Sequence, residues 1–184
     1  AFNPETTLKS TDYKDGEGGG GGTITPSPDE PDNIYSADFT SGKGGCTEKI
    51  VENESSNTSI WKLDSQFGWK GTAYSGGKNH VADAYLFLPE IDLTDYRHAT
   101  LTINQAINFA KGNALKYLSV EATVIDSETG EDIVSKLPDL AVPSKDGWDF
   151  ADYDLDLSQY CGGKVKLAFH YTSDNKIGPY WEIK

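Results

Sequence analysis

The chain has 184 residues, a formal net charge of −13 from 29 acids against 16 bases, and 36% apolar residues. A surface this acidic repels phosphate backbones and anionic headgroups, which argues against nucleic acid and acidic membrane surfaces as partners. No apolar run approaches the ~20 residues needed to cross a bilayer, so the chain reads as not membrane-spanning, with a length that suits one domain and a tail.

Residues 1–33 hold seven acids, two lysines, the glycine run Gly18 to Gly22 and the Pro/acid stretch up to Asp32. Such text buries little and reads as a linker, with its first dozen residues as the possible end of a preceding segment. The folded domain is expected over 34–184. Strands are expected at Ile34 to Phe39, Glu48 to Val51, Ser59 to Leu63, Gly68 to Tyr74 and Ala82 to Leu88, the last stopped by Pro89. Ala99 to Phe109 alternates, with Leu101, Ile103, Ile107 and Phe109 on one face. Gln105 interrupts that face and points to a bulge or a buried hydrogen bond. Leu115 to Ile125, Ile133 to Leu137, Trp148 to Leu157, Lys164 to Thr172 and Tyr180 to Ile183 complete the set, with a loop over Pro138 to Gly147.

One pattern is written twice. Ile91-Asp92-Leu93-Thr94-Asp95-Tyr96 recurs sixty-four residues later as Leu155-Asp156-Leu157-Ser158-Gln159-Tyr160, and each copy leads into an alternating apolar strand. Asp and Ser/Thr side chains compete for nearby backbone groups and favour a bend. Each copy therefore reads as a strand end, a corner and a new strand. About ten short strands with turns between them, and no helical periodicity, predict an all-β antiparallel sandwich.

The chemistry-bearing residues are sparse. His80, His98 and His170 lie in different segments, and there is no Gly-x-Ser-x-Gly elbow, HExxH or phosphate-binding loop. The chain is expected not to be an enzyme. A glycan hydrolase is retained as a lesser alternative because two of many carboxylates could converge. Cys46 and Cys161 could form one bridge in an oxidising compartment, and no Cys/His spacing suggests zinc. Trp61 and Trp181, flanked by alternating apolar residues, are expected in the core. Trp69, Tyr74, Trp148, Tyr153 and Tyr180 are candidates for an exposed platform on which a sugar ring could stack. Trp69, between Gly68 and Gly71, reads as the most exposed of them. The ligand-binding set is Trp69, Tyr74 and Trp148.

The run Trp61-Lys62-Leu63-Asp64, Gly68 to Tyr74 and Ala84 to Leu93 resembles the opening of choice-of-anchor J domains, relatives of the cleaved adhesins. Leu155 to Tyr160, Val165 to Tyr171 and Tyr180-Trp181-Glu182-Ile183 are similar to their ending. Tyr85 and Phe87 depart from the pattern, standing where that family usually has Trp and a small polar residue. The resemblance implies a jelly-roll sandwich of about ten strands on a secreted or surface-anchored bacterial protein, in the manner of an outer-membrane lipoprotein. It implies a monomeric binding or adhesion module whose partner is a glycan or a host surface protein, with a structural spacer as the alternative. It also implies a structural calcium where the first strand meets the last, at Asp38 and Glu182. Calcium takes six to eight oxygens, so further acids or carbonyls would have to join them.

Overall fold

The computed structural model describes residues 6–10, 32–137 and 146–184, with residues 6–10 and 32 as backbone alone. Thirteen strands are described: β1 (Thr6–Ser10), β2 (Asp32–Ala37), β3 (Thr47–Asn53), β4 (Trp61–Asp64), β5 (Gly68–Gly71), β6 (Ala82–Phe87), β7 (Ile91–Asp92), β8 (Ala99–Asn108), β9 (Leu118–Ile125), β10 (Asp132–Lys136), β11 (Ala151–Asp156), β12 (Lys164–Ser173) and β13 (Tyr180–Ile183). They form two antiparallel sheets, β2-β1-β8-β13-β5-β4 with β11 also on β8, and β10-β9-β12-β6-β3 with β7 also on β12. The sandwich expected from the strand pattern is therefore present. A one-turn helix, α1 (Ala114–Tyr117), precedes β9, where the sequence suggested strand from Leu115.

Two boundaries differ from the sequence reading. Thr6–Ser10, inside the stretch read as linker or as the end of a preceding segment, is a strand hydrogen-bonded to both β2 and β8. β2 begins at Asp32 rather than Ile34. The rest of the expected linker and most of the expected 138–147 loop lie outside the described residues.

The repeated motif does what its composition suggests. Asp92 accepts hydrogen bonds from the backbone N–H and the hydroxyl of Thr94 at 3.0 and 2.6 Å, and Asp156 accepts the N–H of Ser158 at 2.9 Å. Each bend then closes identically, Tyr96 N–H to the Leu93 carbonyl and Tyr160 N–H to the Leu157 carbonyl. The two copies also dock on each other. Leu93 N–H donates to Gly163, and Leu157 N–H donates to Ala99, both at 2.8 Å. The sixty-four-residue offset relates these two bonds, and it relates the pairings Ile91↔Val165 and Leu155↔Leu101 as well. Each half thus feeds a strand alongside the outgoing strand of the other half, and both corners cross between the sheets at one end of the sandwich.

The strand alternation fills the space between the layers. Leu101, Ile103 and Ile107 from β8 face Leu118, Val120 and Ala122 from β9 and Leu167, Phe169 and Tyr171 from β12, all essentially inaccessible to solvent. Trp61 and Trp181 are core residues, as expected, with ring centroids 5.6 Å apart. Phe169 stands edge-on to Trp181 at 5.5 Å. Gln105 keeps its place on the apolar face through a buried hydrogen bond: its Oε1 accepts the Trp181 indole N–H at 2.6 Å. An unmatched amide there would carry a desolvation cost of ~1–3 kcal/mol.

Gly68 has φ +75°, and a Cβ built on it would lie 2.0 Å from the Ile183 carbonyl oxygen. Gly76 has a similar φ of +57° but nothing within 4 Å. Gly68→Ala is expected to lower stability by at least ~2 kcal/mol, and Gly76→Ala by ~1 kcal/mol. Chemical denaturation of the two variants checks this; equal losses would contradict the close approach at Gly68.

Candidate functional site: an aromatic cleft at the loop end

β8 and β12 both start at the corners, and both end at the opposite end of the sandwich, where three loops meet. After β8, Phe109 and Lys111 take left-handed backbone angles, φ +58° and +51°. They are the non-glycine residues of positive φ among those described, and such strain collects at ligand sites. Asn108 holds the first of these turns by accepting the Phe109 N–H at 2.8 Å. The Asp146 carboxylate accepts the Lys111 N–H at 2.7 Å, and Gly147 N–H donates to Ile107, which brings Trp148 beside the loop.

After β12, Asp174 organises residues 174–177. Its Oδ1 accepts the backbone N–H groups of Lys176 and Ile177 at 2.7 and 2.8 Å, and its Oδ2 accepts the Tyr117 hydroxyl at 2.6 Å. The third loop follows β5. Asn79 Nδ2 donates to the Lys176 carbonyl at 3.0 Å. Gly178 permits this approach, since a Cβ there would sit 2.8 Å from the Asn79 Oδ1. Below, the Tyr171 hydroxyl donates to Pro179 and accepts the Ala73 N–H, which ties the β12 loop to the residue before Tyr74.

The result is a cleft of about 490 Å³ lined by Tyr74, Asn79, Phe109, Lys111, Trp148 and Tyr180. Phe109 meets Trp148 edge-on at 5.6 Å, and Trp148 meets Tyr180 edge-on at 5.5 Å. Tyr74, Phe109 and Trp148 are each about half exposed, at 50%, 54% and 49%. Three large aromatic surfaces open to water in one concavity, beside an ammonium and an amide, can take a ring with apolar faces and polar edges.

The structure brings together Tyr74, Trp148 and Tyr180 of the aromatics picked from sequence, and adds Phe109, which alternation had assigned to the inner face. Trp69 requires correction. It is 5% exposed, and its indole N–H donates to the Lys43 carbonyl at 3.3 Å. The flanking glycines belong to close packing: Gly68 lies against the Ile183 backbone, and a Cβ at Gly71 would lie 3.0 Å from the Trp61 ring. Tyr153 is opposite Ile103, away from the cleft.

Asp38 and Glu182, the residues expected to hold calcium, have different surroundings. Asp38 caps its own turn, accepting from the Thr40 N–H and hydroxyl and from the Ser41 hydroxyl. Glu182 is 4% exposed on β13, directly opposite Lys70. Burial pushes its carboxyl above the usual range, and the Lys70 charge pulls the other way. Among the described residues, no group of three or more His, Cys, Asp or Glu side chains could hold a metal.

Cys46 and Cys161 do not bridge each other. Burial pushes the Cys46 thiol up to about 11, which leaves it a poor nucleophile at neutral pH. His170 is held at both nitrogens, Nδ1 by Glu121 at 2.7 Å and Nε2 by Asp83 at 2.9 Å, with Tyr85 stacked on its ring at 4.0 Å. An imidazole so engaged has no nitrogen turned towards a nucleophile.

No protein-family model matches the chain, and no curated protein matches it in sequence. Among solved structures it is similar to the K3 cleaved adhesin domain of Lys-gingipain from Porphyromonas gingivalis, at 13% identity over 76% of this chain and 88% of that one, with a TM-score of 0.45. The K2 cleaved adhesin domain of Lys-gingipain gives 14% identity over 76% and 87%, with a TM-score of 0.42. The carbohydrate-binding module TmCBM61, solved in complex with beta-1,4-galactotriose, gives 7% identity over 74% and 83%, also with a TM-score of 0.42. Likenesses at these scores assign no activity. The choice-of-anchor J family finds no match of its own.

Hydrogen bonds from Tyr117 and from the Ile177 and Lys176 amides hold the Asp174 carboxyl well below the ordinary ~3.9, at about 2. A depressed folded-state value stabilises above the unfolded value and is lost as pH falls through the folded one. Asp174→Asn is therefore expected to melt below wild type at pH 6, with the gap closing between about pH 4 and 2. A gap that stays constant over that range would contradict the assignment.

Proposed function

We propose that this chain is a non-catalytic binding or adhesion module that holds a glycan in the cleft of Tyr74, Phe109, Trp148 and Tyr180. The observation that carries the reading is the placement of the exposed aromatics: three half-exposed rings share one cleft at the loop end. Leaving such area in water is unfavourable unless a ligand covers it. A pyranose offers C–H faces to the rings, and its hydroxyls can reach the Lys111 ammonium and the Asn79 amide. Catalysis has no comparable support, because the His170 cluster is closed on itself and stands on the outer face of the second sheet. A bacterial cell-surface setting belongs to the same proposal, as does the host surface glycoprotein as a source of the sugar. The competing reading is a spacer that presents a neighbouring domain.

A screen of the full chain against diverse oligosaccharides, followed by calorimetry on the best binder, tests the proposal. Trp148→Ala should weaken binding at least about tenfold, ~1.4 kcal/mol, and shift the melting temperature by no more than a few degrees. Tyr74→Ala should weaken the same ligand. An absence of binding across the screen favours the spacer, and binding unaffected by both substitutions places the ligand elsewhere.

A further inference from the structure

We propose that the slot filled by β1 is a strand-exchange site, and that its partner is the β1 segment of a second copy of this chain. β1 is hydrogen-bonded along both edges. Thr6 to Ser10 pair with β2, and Thr7 to Ser10 pair with Thr102 to Ala99 of β8. Gln105 of β8 pairs with both Ala151 of β11 and Ile183 of β13, so those two strands lie on opposite edges of β8. Thr100 to Thr102 pair with both β11 and β1, so β1 and β13 share one edge end to end. Among the described residues, without β1 the edge of Ala99 to Thr102 facing away from β11 is an open strand edge, and β2 has no ladder to the rest of its sheet. Both consequences fall beside the corner, where Ala99 and Leu101 are buried and Leu157 docks.

What fills the slot is joined to β2 by far more sequence than the pairing needs. Ser10 and Asp32 are directly opposite each other, as in a hairpin. Two residues suffice to join strands so placed, yet the sequence spends twenty-one, residues 11–31, rich in Gly, Pro and acids. A connection of that length, up to roughly 70 Å when extended, cannot set the register; the slot sets it. A flexible tether of about that length would hold β1 near its own slot at an effective concentration on the order of millimolar. A second copy at comparable local density supplies the same strand, with the same backbone hydrogen bonds, and competes on equal terms. Thr-Thr-Leu-Lys-Ser gains its affinity through its backbone, as strands added to sheet edges do. Chains crowded on a surface would thereby be joined without any new interface.

Lys9 and Thr100 are directly opposite in the β1–β8 ladder, which allows a trapping test. Full-length chains in a Cys46→Ala, Cys161→Ala background carry either Lys9→Cys or Thr100→Cys, with different tags. They are unfolded together, refolded at about 1 mM and oxidised. The expected product is a disulfide between the two tags, well above the level of either same-tag dimer and rising with concentration. A chain bearing both substitutions should cross-link internally when dilute. Cross-tag product at the same-tag level, or a double variant that fails to cross-link, overturns the proposal. If the alanine background does not fold, size exclusion with light scattering on the native chain takes its place. It should show dimers at about 1 mM that Leu8→Pro abolishes. Dimers that survive Leu8→Pro, or no dimers in the native chain, equally overturn it.

Discussion

Two backbone hydrogen bonds, Leu93 to Gly163 and Leu157 to Ala99, set the relation between the layers. Each joins the corner of one half to the start of the outgoing strand of the other half, at Gly163 just before β12 and at Ala99, the first residue of β8. Both leucines are fully buried, so neither amide can turn to water as a substitute partner. A buried amide left unmatched costs ~1–3 kcal/mol, and opening one corner displaces the strand on which the other is docked. The coupling follows from the reciprocal arrangement, because neither half has a complete sheet edge until the other is in place.

That constraint reaches the far end of the molecule. β8 and β12 run ten residues each from the corners, about 33 Å at strand rise, and the loops they end in build the cleft. Phe109 and Lys111 follow directly from β8, and the Asp174 turn follows directly from β12. Between these strands, Gln105 and Tyr171 bind Trp181 and the 179 carbonyl, so the floor beneath the cleft is fixed by buried polar contacts. The rings that face solvent are thus carried on loops anchored to these strands, and among the described residues the positive-φ non-glycine positions are Phe109 and Lys111 of one such loop.

The parts of this arrangement visible in the sequence are those that rest on period and repetition. Alternation exposed β8, β9 and β12, the repeated corner exposed the crossovers, and the break at Gln105 signalled the hydrogen bond found there. The cleft was half legible. Tyr74 and Trp148 are aromatics that read as candidates for an exposed platform, whereas Phe109 continues an alternating run. Its side chain leaves that run because the backbone turns left-handed at Phe109 itself, and no residue type there announces the turn. Trp69 misled for the opposite reason: its glycines mark a backbone carbonyl and an indole pressed against the chain, which sequence does not distinguish from a loop. β1 escaped notice because five mostly polar residues carry no apolar alternation; their place is fixed by two neighbouring ladders far away in sequence.

If reciprocal docking of the corners holds the layers together, the two corners must open together. Native-state hydrogen exchange at the Leu93 and Leu157 amides measures this directly. The account predicts that both exchange at one slow rate, set by global unfolding and matched by amides in the middle of β8 and β12. Exchange of either amide at the rate of the exposed turn at residues 76–77, with β8 and β12 still protected, would contradict it.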